Sequence, residues 1–290
     1  MESILILVTA FNPLARFDPL LKCLQEYSHL PLDAHVVLYV DNDHSEDVRD
    51  LKDLIEANVC QKLKVEVQVA EPQFKDYYLC WAHKDLLRLA VSQKAYDYYL
   101  YSENDMLFTT DHFRYWRTYK NILKELNLEP SFCRYEQQGD LKIPFDNYHR
   151  LNLTDLTFDV WHDIPHKASI YITPTDPNFL GFILLANPYS GMMILDQEQA
   201  EEYIGSVSSH AELSHRLTGF RNWPIADRSS MGLAFEGLDD GQDHRRVVPL
   251  VRHNDSVVIA DVGLIRHIDT KYSKPLMKQS ELITTETMFV

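Results

Sequence analysis

The sequence has no apolar run of bilayer-spanning length, no closely spaced cysteine pair, no internal repeat and no low-complexity linker. Each absence removes a class. A membrane-crossing helix needs about 20 consecutive apolar residues, and Ile4-Leu5-Ile6-Leu7-Val8 is only strand length. Met1-Glu2-Ser3 is not a charged leader, so no transmembrane segment or signal is read. The chain is therefore expected to be cytoplasmic, unless it is a catalytic domain trimmed from a membrane-anchored parent. Cys23, Cys60, Cys80 and Cys133 are far apart, which excludes a CxxC metal or redox motif and suits free thiols in a reduced chain. His149, His162 and His166 lack the paired HExxH arrangement of a zinc protease. Basic residues are also scarce. Lys and Arg number 28 against 43 Asp and Glu, a net charge of -15, and a non-specific nucleic-acid binder needs the opposite balance.

The composition that remains is that of a soluble enzyme, with 45% hydrophobic and 24% charged residues over 290 positions. Such a length suits a single large domain as well as two small ones. Strand and helix signals alternate through the first hundred residues. Ile4 to Val8, His35 to Val40, Leu63 to Val69 and Tyr96 to Tyr101 read as strands, the third near a sheet edge. Phe17 to Tyr27, Asp47 to Ala57 and Trp81 to Gln93 carry apolar residues at helical spacing. This alternation predicts an α/β fold, Rossmann-like, with a mostly parallel central sheet covered by helices on both faces. Later, Ser131 to Gln137, Phe179 to Ala186 and Met192 to Leu195 read as strands, Glu198 to Ile204 and Arg228 to Phe235 as helices. Val257 to His267 opens strand-like, and the stretch from Asp140 to Asp176 reads as irregular. Tyr148, Trp161, Tyr171 and Phe179 offer stacking or packing surfaces around that stretch.

In open parallel sheets ligands bind beyond the carboxyl ends of the strands, and the acidic residues cluster there. Glu103-Asn104-Asp105 follows a tyrosine-rich strand. If the segment stays extended, Glu103 and Asp105 point to one side and share a divalent metal, directly or through water. Asp41 ends the second strand and suits hydrogen bonds from a ribose or base, while Asp43 suits a helix cap. Thr9, Phe11 and Asn12 leave the first strand toward the same ligand, with Pro13 stiffening the turn. Lys84 and Arg88, four apart, are expected to present positive charge on one helix face to a diphosphate or its sugar, with Trp81 and His83 near that helix's beginning. Asp227 and Glu236 are the candidate general bases, and His267 is a candidate to return to the metal.

Together these features resemble the GT-A superfamily of nucleotide-sugar-dependent glycosyltransferases. The resemblance rests on Ile4 to Val8 with Thr9-Ala10-Phe11-Asn12, on Asp41, and on Glu103-Asn104-Asp105 after Tyr98-Tyr99-Leu100-Tyr101. Asn187-Pro188-Tyr189-Ser190-Gly191-Met192 looks like an acceptor-side segment, and the likeness is strongest over roughly the first 110 residues. The motif departs from the family's DxD in its first position, Glu103. The resemblance implies one domain over 1–290, with a nucleotide-sugar half in 1–110 and an acceptor half in 111–290. It further implies Mn2+ or Mg2+ on Glu103, Asp105 and His267, a UDP- or GDP-linked sugar donor, and a carbohydrate or glycoconjugate acceptor. Asp41, Lys84, Asn104 and the Thr9 to Asn12 turn would hold that donor. Inversion, with Asp227 or Glu236 activating the acceptor hydroxyl, is the favoured stereochemical course. A nucleotidyltransferase shares this layout but wants an early glycine-rich basic triphosphate loop, which is missing. A metal-dependent phosphohydrolase and a non-catalytic carbohydrate-binding protein are also compatible with these residues.

Overall fold

Ser3–Ala10 (β1) is an unbroken aliphatic strand, and such a strand is stable only when neighbours flank it and layers cover both faces. It finds both. One side pairs in parallel with Asp33–Val40 (β2), which in turn pairs in parallel with Lys64–Val69 (β3). The other side of β1 pairs in parallel with Tyr98–Glu103 (β4). Met192–Asp196 closes the five-stranded sheet as an antiparallel edge against β4. The computed structural model describes residues 1–41, 47–144, 146, 157–158, 166–167, 170–171, 179–184, 187–216, 223–238, 244–254, 256–272, 284–286 and 288.

The connections between parallel strands are the helices that periodicity predicts: Phe17–Tyr27 (α1), Val48–Asn58 (α2) and Lys84–Ser92 (α3). α1 turns Leu20, Cys23, Leu24 and Tyr27 inward, the i, i+3, i+4, i+7 stripe of a half-buried helix. α3 starts later than the predicted Trp81, because Asp76–Trp81 forms a tighter 3-10 helix ahead of it. β3 is exposed along much of its length, as an edge strand with alternating charges is expected to be.

The chain divides into two compact units. The first comprises 1–110 and 191–236, the second 111–190 and 237–290. Within the first lie the mostly parallel sheet, its helices and the capped helix Gln197–Gly205, whose Asp196 accepts from the Gln199 amide in a capping box. The predicted helix from Arg228 to Phe235 does not form. A single turn, Ile225–Arg228, stands before it, and Gly232 at φ 55° takes the backbone out of the helical region.

The second unit is antiparallel at its centre. Arg246–His253 pairs with Gly181–Leu184 and with Ser256–Ile259. A second ribbon joins Cys133–Gln138 in parallel to Leu264–His267 and antiparallel to Leu141–Ile143. The 15-residue helix Thr110–Lys124 is not among the elements predicted above. Its signal is present all the same: Phe113, Trp116, Tyr119 and Leu123 are buried at helical spacing. Arg246–His253 is likewise unpredicted, since Pro249 in its middle argues against a central strand. Among the described residues no helix is long and apolar enough to cross a membrane.

Candidate functional site

The strand order β3-β2-β1-β4 reverses direction at β1: the chain steps outward from β1 through β2 to β3, then returns to β1's other side with β4. In open parallel sheets such a reversal, at the carboxyl ends of the strands, is where ligands bind. Thr9 and Glu103 lie opposite one another in register at that edge.

The β1 exit is built tightly. Asn12 adopts φ 47°, a left-handed conformation that asparagine tolerates better than most residues. Its backbone N–H donates to Oδ1 of Asp41 at 3.0 Å, so the end of β2 ties down the turn leaving β1. Asp41 is 2% exposed, whereas Phe11 at the turn's tip is 49% exposed. The sequence placed Thr9, Phe11, Asn12 and Asp41 on one edge, and the structure joins two of them by a direct bond. Asp43 lies outside the described residues, as do Tyr148, His149, Trp161 and His162.

The exit of β4 corrects one expectation. The strand ends at Glu103, and Asn104 and Asp105 form a turn before Met106–Leu107. The segment is not extended, so the alternation argument for two carboxylates on one side does not hold. Glu103 follows Tyr99 and Tyr101 on their face of the sheet. Its charge helps burial push the Cys80 thiol up to about 12 and raise the Tyr101 hydroxyl. Asp105 is felt instead by Cys23 and Tyr27 of α1, both raised chiefly by burial. Cys23 Sγ also donates to the carbonyls of Asn104 and Met106 at 3.5 and 3.4 Å, fastening the turn to α1. Gly191 backs Glu103 from the antiparallel strand, its carbonyl accepting from the Glu103 N–H at 3.0 Å.

Nδ2 of Asn104, buried at this edge, has no hydrogen-bond partner among the described residues. A buried amide donor without an acceptor is costly. An acceptor arriving with a ligand would satisfy Asn104. His83 is stacked on Tyr101, centroids 4.1 Å apart, and burial together with Lys84 keeps its pKa well below the usual imidazole range.

Lys84 does not present its charge at the surface. It is 4% exposed, and Nζ donates to Tyr203 Oη and the Ser229 carbonyl, each at 2.7 Å. The reason is packing: Lys84 lies on the stripe with Leu87, Ala90 and Val91 that α3 buries, so position i of the predicted basic pair is turned inward. Arg88, on the outer part of that helix, bonds Asp85 and the Ser209 carbonyl. Glu236 is committed as well, its Oε1 accepting from the backbone N–H and hydroxyl of Ser208 at 3.0 and 2.9 Å. Asp227 is half-buried inside the short helix Ile225–Arg228 rather than at its cap, which is Pro224.

His267 belongs to the second unit, 1% exposed, with Nδ1 2.9 Å from Oε1 of the fully buried Glu136. That buried contact fixes the orientation of the imidazole within the second unit.

A divalent metal is tested by the donor set. Among the described residues no group of three or more His, Cys, Asp or Glu side chains gathers at one point. Glu103 and Asp105 are nevertheless hard oxygen donors in one turn. Mg2+ typically takes one or two protein carboxylates and completes its shell with phosphate oxygens and water.

Compared with known proteins, the chain matches no family model, and no curated protein matches its sequence. Among solved structures it is similar to the 4-diphosphocytidyl-2C-methyl-D-erythritol synthase of Anaerococcus prevotii DSM 20548. The identity is 13%, over 83% of this chain and 85% of that one, with a TM-score of 0.38. A likeness of that depth does not decide the chemistry.

Proposed function

We propose that the protein transfers a sugar from a nucleotide-linked donor to an acceptor hydroxyl, with the donor seated at the carboxyl edge of β1, β2 and β4. The observation that carries this reading is the register of Thr9 against Glu103 at the point where the strand order reverses, beside the Asn12–Asp41 clamp. Asp41 would accept hydrogen bonds from ribose or base, and exposed Phe11 offers a ring face for stacking. Asn104 would donate its unsatisfied amide to a donor oxygen. Glu103 and Asp105 would hold a Mg2+ or Mn2+, whose charge stabilises the departing nucleoside diphosphate. Asp227 is the proposed general base, taking the proton of the acceptor hydroxyl as that oxygen bonds to the sugar. Glu236 is set aside for this role because Ser208 occupies its Oε1.

The test is nucleotide release from a panel of UDP- and GDP-sugars with Mn2+, Mg2+ or chelator, native protein against Asp105→Ala. Metal-dependent release of nucleoside diphosphate from one donor, lost in the variant, is the expected result. Pyrophosphate release from a nucleoside triphosphate and a sugar phosphate would instead identify a nucleotidyltransferase. Absence of both turnover and nucleotide binding would overturn the donor site.

A further inference from the structure

The helix that carries Asp227 is a single turn of four residues, Ile225–Arg228. A turn that short does not hold itself, because fixing the first hydrogen-bonded turn costs more conformational freedom than its bonds return. Its cap gives no help, since Pro224 makes no side-chain cap bond. Ser229 and Ser230 bond back through their hydroxyls to the Ala226 and Asp227 carbonyls, and Arg228 bonds the Ala211 carbonyl and the Ser214 hydroxyl. Two side chains from the segment before β4 add the ties that join the turn to the sheet. The indole N–H of Trp81 donates to the Ile225 carbonyl at 2.8 Å, and Nζ of Lys84 donates to the Ser229 carbonyl at 2.7 Å. One bond grips the first residue of the turn and the other the residue just past its end.

The anchor is itself rigid and reaches the strand edge. Nζ of Lys84 lies over the rings of Trp81, Tyr101 and Tyr203, 5.1, 5.6 and 4.8 Å from their centroids. Tyr101, stacked on His83, hydrogen-bonds Thr9 through its hydroxyl at 3.1 Å and lies two residues before Glu103 in β4. An amine buried against two neutral acceptors is an expensive way to fill space that a methionine would fill. What it supplies is direction: one donated bond to Tyr203 Oη and one to the Ser229 carbonyl, from a side chain held among three rings.

We infer that Lys84 and Trp81 are positioning residues that fix the Asp227 turn relative to the carboxyl edge of β1 and β4. Lys84 then acts through Asp227 and does not touch the donor. This inference rests on the reading of Asp227 as the base, and two readouts keep the two apart. The variants are Lys84→Met, which keeps length and loses the donor, and Trp81→Phe, which keeps the ring and loses the N–H. Trp81→Phe carries the test if Lys84→Met does not fold.

Hydrogen exchange reads the clamp without reference to activity. Amides of 226–231 are expected to exchange about tenfold faster or more in either variant, with those of β1 and β4 unchanged. Unchanged exchange at 226–231 overturns the clamp. Kinetics reads its purpose: donor KM stays within about threefold while kcat falls about tenfold or more, the mark of a misplaced reacting group. In an Asp227→Asn background the same substitutions should cost little further kcat. An unchanged kcat in a protein that needs Asp227 overturns the positioning role. Full turnover by Asp227→Asn alone removes the base, and exchange then still decides whether the clamp exists.

Discussion

Gly191 is where a single methyl group tests both the fold and the proposed site. Its φ is +66°, and a Cβ built there would stand 3.0 Å from Met106 Cγ, 3.1 Å from Met106 Sδ and 3.4 Å from Glu103 Oε2. Placing an L-residue in the left-handed region costs about 1–2 kcal/mol. Met106 is fully buried, so its side chain yields at a cost of up to about 0.5–1.5 kcal/mol, that of a ~30° rotamer displacement. Gly191→Ala is therefore expected to lose about 1.5–3.5 kcal/mol, a sizeable share of the roughly 5–15 kcal/mol typical of a folded protein. Gly205, the last residue of Gln197–Gly205, has nothing within 4 Å of a built Cβ and no left-handed φ. Gly205→Ala should be stabilising by about 0.4–1 kcal/mol through the unfolded chain. Urea unfolding of both variants, fitted with a common slope, measures the difference. Because the new methyl abuts Glu103, metal-dependent nucleotide release should also fall in Gly191→Ala and hold in Gly205→Ala. Equal midpoints for the two variants would refute the reasoning.

Three further outcomes follow from the structure. Burial holds the pKa of His112 down from 6.5 to about 4, against the pull of its bond to the Leu264 carbonyl. The folded state thus favours the neutral ring, and its contribution is complete above pH 6.5 and lost as pH falls toward 4. At about 1.4 kcal/mol per pH unit this amounts to roughly 3 kcal/mol, and a pH series of urea midpoints for native and His112→Gln should show the steeper acid loss in the native protein. Asp41→Ala removes the acceptor of the Asn12 N–H and should weaken nucleotide binding about tenfold or more by titration calorimetry, with about 1–3 kcal/mol of stability lost at the freed N–H. Unchanged affinity would remove Asp41 from the site. Asp227→Asn should lower kcat about 10²–10⁴-fold. Glu236→Gln should keep kcat and lose about 1 kcal/mol of stability through Ser208, and the reverse pattern would exchange their roles.

Local pattern alone determined much of the first unit. The aliphatic run of β1 and the apolar stripes of α1 and α2 are properties of neighbouring residues, and α1 matches its predicted bounds of Phe17 to Tyr27. The alternation of strands and helices likewise predicted a mostly parallel sheet, and the acidic residues after β2 and β4 fall at its carboxyl edge. Only tertiary structure decided the rest, because it depends on contacts far apart in the chain. The reversal of strand order at β1 is a choice of partners that periodicity does not encode. The return of 191–236 to the first unit brings Gly191 behind Glu103, and Tyr203 and Ser229 onto Lys84. A lysine four residues from an arginine looks solvated in one dimension; here Lys84 falls on the stripe that α3 buries, and only Arg88 stays nearer the surface. Glu236 and Asp227 are both late carboxylates in sequence, and the bond from Ser208, 28 residues away, to Glu236 Oε1 is a contact no local pattern encodes. Side-chain chemistry is local and legible, whereas the direction in which each side chain is spent is set by what the fold brings opposite it.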